Sequence, residues 1–349
     1  MKTRSHQPLT FLRYSLCMVV SMITALVFQT STAQDIHFSQ FANSPLNLNP
    51  AQTGFFDGDQ RFVANHRNQW KSVTTPYVTF SGSLESTLDR LAPKNSRLAG
   101  GLVFNNDRAG DSKMGTTSLM SSLALMKPIG RDSVHFVGVG VMMGFTLRSI
   151  NYSALTFDEQ FNGDVYDPTI SNSESFDNNN HAYLDLGFGV NYVYQNQDGF
   201  RVGLGSAIQH LNRPDDGFFS EKVKLFPKLQ NHFSLFIPVA SRIQIQPSAL
   251  LMFQGGYQEL TLGSTVQYVI SELPGRNYAF SAGTWIRAKD ALIPYVGLRY
   301  NEFRFGLSYD VNTSDLDRAS NGKGGYELSM SYIIKKVKSK GIKPPCPLY

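Results

Sequence analysis

Residues 303–334 read FRFGLSYDVNTSDLDRASNGKGGYELSMSYII, and their alternation decides the fold. Phe303, Phe305, Leu307, Tyr309 and Val311 share one parity, against Arg304, Gly306, Ser308 and Asp310 on the other. After a polar stretch the pattern returns: Tyr326, Leu328, Met330, Tyr332 and Ile334 alternate with Glu327, Ser329 and Ser331. Successive side chains on a strand point to opposite faces, so each segment is a strand with one apolar face and one polar or small face. Far upstream, Leu184, Leu186, Phe188, Val190, Tyr192 and Tyr194 alternate in the same way with Asp185, Gly187, Gly189 and Asn191.

Such segments recur about fourteen times, near 60–68, 76–85, 97–106, 116–127, 134–148, 182–195, 199–210, 231–239, 242–253, 259–270, 277–288, 292–300, 302–311 and 325–335. Helical periodicity is nowhere sustained. A soluble sandwich also alternates, but its strands are usually ~5–6 residues long. Tilted membrane-crossing strands need ~9–11, and bacterial barrels use an even number of them. The expected fold is therefore all-β: a transmembrane antiparallel β-barrel of about 14 strands over residues 60–335. Closure is what such a set requires, because an open edge in lipid leaves backbone groups unpaired.

The connections orient it. Those after even-numbered strands are short, at Gln195 to Asp198, Ala240-Ser241 and Asn301, whereas Ser149 to His181, Leu211 to Gln230 and Asn312 to Gly324 follow odd-numbered ones. Outer-membrane barrels have short periplasmic turns and long extracellular loops. Both termini are thus expected in the periplasm, and loops 149–181, 211–230, 107–115 and 312–324 outside.

The ends carry their own signals. Lys2, Arg4 and Arg13 precede an apolar stretch from Tyr14 to Phe28, and Ser31-Thr32-Ala33 is a small-x-small site. That is a secretory signal peptide over residues 1–33, cut between Ala33 and Gln34, and too short in its apolar core for a spanning helix of ~20 residues. Cys17 begins the apolar stretch and so is no lipoprotein cysteine. Of 32 basic and 27 acidic residues the leader removes three basic ones, and five more (Lys335, Lys336, Lys338, Lys340, Lys343) lie at an acid-free C-terminal end. The pI near 9.0 is a property of the two ends, and nucleic-acid binding is not implied. Cys346 is the one mature cysteine, which excludes an intramolecular disulfide or a thiolate metal cluster.

Residues 34–59 crowd Phe38, Phe41, Leu46, Leu48, Phe55 and Phe56 among Asn, Gln and Pro. Disordered linkers seldom carry so many apolar side chains. An ordered segment folded into the barrel mouth as a plug, or against a periplasmic partner, is expected. Catalytic chemistry is not: no two mature histidines have metal-ligand spacing, and there is no G-x-S-x-G elbow. No cofactor is expected. Asp158, Glu159, Asp164, Asp167, Asp177, Asp310, Asp315 and Asp317 fit solvated acids better than a calcium loop, since their spacing is not that of an EF-hand. The tail 336–349 is either a solvated end or an extended docking segment, with Pro344-Pro345-Cys346-Pro347-Leu348-Tyr349 preorganised for the latter.

Two blocks are too specific to be generic strand and turn. Residues 34–70 read QDIHFSQFANSPLNLNPAQTGFFDGDQRFVANHRNQW, and residues 304–316 and 324–329 read RFGLSYDVNTSDL and GGYELS. With the final Cys346-Pro347 and Tyr349, they resemble the PorP/SprF family of outer-membrane components attached to the type IX secretion and gliding machinery of Bacteroidetes-type bacteria. The resemblance implies a non-enzymatic, integral outer-membrane protein that binds the periplasmic lipoprotein ring or assists export and surface attachment of an adhesin bearing a type IX C-terminal domain. It marks Arg67, Gln69, Trp70, Tyr309, Asp310, Asn312, Ser314 and Glu327 as structural motif positions. Phe38, Gln40, Asn49, Pro50, the five C-terminal lysines, Cys346 and Tyr349 are the expected partner-binding residues. A passive porin or hydrophobic-solute channel is the alternative, since Gly138, Gly140, Gly187, Gly189, Gly203 and Gly205 could leave a lumen; an outer-membrane hydrolase is a third.

Overall fold

In the computed structural model the described residues are 35–69, 75–110, 112–130, 134–167, 169–170, 179–218, 223–273, 275–314, 320 and 322–335. The strands are β1 (Gln60–Gln69), β2 (Tyr77–Thr87), β3 (Arg97–Ala109), β4 (Met114–Ile129), β5 (His135–Ser149), β6 (Asn180–Gln195) and β7 (Arg201–Gln209), then β8 (Lys228–Ala240), β9 (Ile243–Gln254), β10 (Tyr257–Leu273), β11 (Arg276–Arg287), β12 (Ala291–Tyr300), β13 (Phe303–Asn312) and β14 (Lys323–Ile334). Each pairs antiparallel with its sequence neighbours, and β1 pairs with β14, so the fourteen close into one barrel without an edge. The alternation read from the sequence has its cause here. Leu102, Leu119, Leu123, Val141, Phe145, Phe188, Leu307 and Leu328 face outward and are exposed, as a lipid-facing belt requires. Belt residues meet across strands: Val141 lies opposite Leu123 on one side and Phe188 on the other.

One end of the barrel has the two long connections, 150–179 and 210–227, and the other has turns such as 241–242 and 301–302. The sequence reading differs from the structure at two connections. Strands β3 and β4 run into the stretch expected as loop 107–115 and leave only 110–113 as a turn. The connection 88–96, at the short-turn end, is longer than its parity suggests.

Residues 35–59 run through the lumen as a 3-10 turn (Phe41–Asn43), the short helix α1 (Pro45–Leu48) and a second 3-10 turn (Pro50–Gln52). Pro45 and Pro50 each stand in a first turn, where a missing N–H costs nothing and a fixed φ helps. Compact turns suit this place, because an extended strand inside a barrel would strand its backbone donors and acceptors. The direction of travel follows from the ion pairs at its two ends. Asp35 meets Lys228 and His210, at the long-loop ends of β8 and β7, whereas Asp57 meets Lys335 at the short-turn end. The chain therefore crosses the barrel once inside before its fourteen crossings of the wall. Its first and last described residues lie at opposite ends of the barrel, and the termini, both expected in the periplasm, lie outside the described residues.

Candidate functional site: a lumen plug built from the two motif blocks

The plug is held at its start by charge. Glu327 of β14 accepts hydrogen bonds from the backbone N–H of Ser39 at 2.7 Å and of Gln40 at 3.0 Å. The Ser39 hydroxyl donates to Asp310 of β13 at 2.7 Å and accepts from Arg287 of β11 at 2.6 Å. Arg67 of β1 donates to Asp310 at 2.8 Å and to the His37 carbonyl, with its Nε 3.9 Å from Glu327. Gln40 completes the bracket by donating to the Glu327 carbonyl at 2.9 Å and to Ser308 at 3.0 Å. Arg67, Asp310 and Glu327 are 2%, 3% and 1% exposed. Buried charges persist only when paired and hydrogen-bonded, and here each one is. Burial together with the Arg67 and Arg287 charges pushes the nearby His37 imidazole well below its ordinary value, so it is neutral.

A second anchor lies beside it. The Asp35 carboxylate accepts from Lys228 at 3.1 Å and sits 3.2 Å from His210, whose other ring nitrogen is 2.8 Å from Asp185. Burial disfavours charge on His210, but bonding to Asp185 and Asp35 outweighs it and pushes the imidazole up to about 9. Asp35 is likewise held far down: burial opposes its charge, and Lys228 and His210 overcome that. These four groups border a polar cavity of about 50 Å³.

At mid-lumen the wall is stripped of side chains so that backbone can approach. A Cβ on Gly140 would lie 2.4 Å from the Pro50 carbonyl carbon and the Ala51 nitrogen, and one on Gly189 would lie 2.0 Å from the Asn49 Oδ1. A Cβ on Gly205 would stand 2.1 Å from His232. Asn49 is fully buried: its Oδ1 caps Ala51 N–H at 2.8 Å and its amide donates to the Val190 carbonyl at 2.9 Å. Around this polar centre, Phe41 and Leu48 pack with Leu250, Trp285 and Ile293, and Leu46 packs with Val103, Met120 and Met142. Of the inward glycines, which on sequence alone leave room for a solute path, Gly138, Gly140, Gly189 and Gly205 are the seat of Asn49-Pro50-Ala51, whereas a Cβ on Gly187 or Gly203 would meet the wall itself.

The plug leaves the lumen through Gly54, whose φ of +74° and 2.1 Å approach of a Cβ to the Ala99 Cβ admit only glycine. Its N–H donates to Glu85 at 3.0 Å, and Arg61 grips the same carboxylate through two bonds of 2.8 Å.

Of the residues singled out by sequence, Gln40, Arg67, Asp310 and Glu327 come together in one network, although the block boundaries are hundreds of residues apart. Phe38, Gln40, Asn49 and Pro50, the N-terminal members of the partner-binding set, are buried against the barrel's own wall, where the lumen supplies apolar cover and hydrogen bonds. Gln69 ends β1 between Tyr77 and Gly325, and Asn312 is buried and donates to Ser320 at 3.0 Å. Ser314 keeps a buried hydroxyl, Tyr309 faces the outer belt, and Lys335 pairs with Asp57. Ala33, Gln34, Trp70, Lys336, Lys338, Lys340, Lys343, Cys346 and Tyr349 lie outside the described residues. Sequence reasoning missed Arg287, Lys228, His210 and Glu85, and with them Glu259, whose carboxylate lies 3.7 Å from Arg287. All but His210 were findable as ionisable residues on or beside the small-residue parity of otherwise apolar strands.

Comparison with known proteins comes down on one family. The family model described as type IX secretion system membrane protein PorP/SprF matches residues 30–332, and the chain belongs to that family. No curated protein matches it. Among solved structures it resembles the Ralstonia pickettii toluene transporter TbuX, with a TM-score of 0.49 and 11% identity over 87% of this chain and 95% of that one. It also resembles the Pseudomonas putida toluene transporter TodX, with a TM-score of 0.48 and 10% identity over 83% and 93%. Family and closed barrel together make this an outer-membrane component of type IX secretion.

Proposed function

We propose that this PorP/SprF barrel is a docking component of the type IX secretion and gliding apparatus, non-enzymatic, holding the periplasmic lipoprotein ring or assisting export and surface attachment of a type IX C-terminal-domain adhesin. One observation carries the reading: residues 35–59 thread the lumen from one end of the barrel to the other, and the motif residues are spent on anchoring that plug. A protein whose specific residues seal its own interior acts through the surfaces it presents. The same observation argues against a passive porin.

In this reading residues 1–33 are the cleaved leader, the short turns face the periplasm, and the basic tail 336–349 leaves the barrel on that side. Loops 150–179 and 210–227 then face outward, where an adhesin would sit. Crosslinking and pull-down from native envelopes tests it. Recovery of a ring lipoprotein or a type IX C-terminal-domain protein is expected, weakened when 336–349 is deleted; recovery of neither from a folded barrel overturns the reading.

A further inference from the structure

Below the plug, at the short-turn mouth of the lumen, arginines gather without enough acid to match them. Arg299 and Arg304 are direct cross-strand partners on β12 and β13, both on the inward parity. Like charges placed opposite each other on one face are destabilising unless something answers them. Arg304 is exposed, and the charges that act on it are those of Arg299, Arg61 and Arg201 together with the Asp57 carboxylate, which Lys335 already holds. Arg61 is committed to Glu85, and Arg299 reaches Glu272 only at 4.0 Å, with that carboxylate 59% exposed. Among the described residues neither Arg201 nor Arg304 has an acidic partner within 4.0 Å. The Arg201 guanidinium is steadied over the Phe236 ring at 5.2 Å, which leaves its donor edges poised in place. Gln244, Gln246 and Gln267, hydrogen-bonded to one another on β9 and β10, add neutral polar groups towards the same end of the barrel.

We propose that this mouth is a receptor for an acidic polypeptide segment, its carboxylates taken up by Arg201, Arg299 and Arg304. The site rests on the docking reading and gives it a chemistry. Strand β7 lies across the ring from β13, so the cations come from opposite walls and suit several carboxylates along an extended chain better than one small anion. The closed wall separates these inward cations from lipid, so an occupant must reach them along the barrel axis. The chain's own C-terminal sequence does not complement these cations: after Lys335, which stands at this mouth, it holds four lysines and no acidic side chain.

The test uses the full-length mature barrel in detergent and a fluorescein-labelled alternating Glu-Gly decapeptide, read by anisotropy, with a Lys-Gly decapeptide as control. The Glu peptide should bind and the Lys peptide should not. Arg299→Gln/Arg304→Gln should weaken binding about tenfold or more and flatten its salt dependence, as loss of charge-assisted contacts demands. Arg108→Gln, at the other end of the barrel, should leave it unchanged. Heat-modifiable gel mobility checks that each variant is folded. Equal binding by the double Gln variant overturns the proposal, as does full displacement of the peptide by low-millimolar phosphate, which would mark a small-anion site. Peptide binding without capture of machinery from envelopes would sink the docking reading alone, and capture without peptide binding would sink only this one.

Discussion

Arg67→Met keeps the length and apolar stem of the side chain and removes every donor. Asp310 then loses a 2.8 Å charged hydrogen bond and Glu327 loses its nearest cation at 3.9 Å, while the His37 carbonyl loses its donor. Removing one partner of a buried ion network costs about 3–5 kcal/mol. Arg287 still reaches Asp310 at 3.2 Å, so the lower figure of about 3 kcal/mol applies. The cost falls on the first half of the plug, because the strand ladder and the Gly54–Glu85 latch do not involve Arg67. At 1.4 kcal/mol per decade, local opening should rise roughly a hundredfold. The assay is maleimide labelling of Ser44→Cys, a buried plug position, in a Cys346→Ser background. Labelling rate should follow the opening equilibrium. Adding Glu327→Gln to Arg67→Met should recover part of the loss by removing the orphaned charge. Labelling within twofold of the parent, in a barrel that still shows heat-modifiable mobility, would refute the idea that this network holds the plug.

Deleting residues 35–58 should turn a non-conducting barrel into a conducting one in planar bilayers, and silence after deletion would mean the lumen is closed by something else. Gly140→Val drives a side chain into the Pro50-Ala51 backbone, and overpacking of this kind costs about 1–3 kcal/mol; Ser44→Cys should label faster while gel mobility is unchanged. Gly54→Ala meets both a positive φ and Ala99, so thermal unfolding should begin lower than in the parent, and an unchanged melting curve would count against the latch. Because His210 is raised to about 9 in the fold, its stabilisation is complete below its unfolded value near 6.5 and is lost as pH climbs through about 9. His37 is depressed, so its contribution holds above about 6.5 and fades as pH falls below that. Plug protection should therefore peak near neutral pH, and His210→Asn should remove the alkaline limb of the labelling profile.

The barrel was legible because lipid enforces a strict alternation on every crossing, as in Phe303 to Val311 and Leu184 to Tyr194. Where the strands rise beyond the belt, that signal fades. Asn105, Asn106 and Asp107 are polar on both parities, and they stay in strand through side-chain bonds such as Asn106 to Thr117 at 2.7 Å and Thr79 to Asp107 at 2.5 Å. Arg67, Asp310 and Glu327 stood out within motif blocks, but their meeting point could not be read from the chain. It depends on closure bringing β1 beside β14 and on a plug residue, Ser39, 271 positions from Asp310. The glycines of β5, β6 and β7 carried the opposite ambiguity: a missing side chain marks space without saying whether solute or backbone fills it.

One pairing has a further consequence, for how the cylinder is sewn shut. Arg67 and Glu327 are direct partners across β1 and β14, the seam where the first and last strands meet. A slide of two residues would keep every side chain on its proper face, so the lipid belt alone would tolerate it. It would also set Arg67 opposite Ser329 or Gly325 and leave Glu327 facing a neutral neighbour. The seam's register is thus written in charge, and the plug reads it: Ser39 and Gln40 find their carboxylate only when the final stitch is in place.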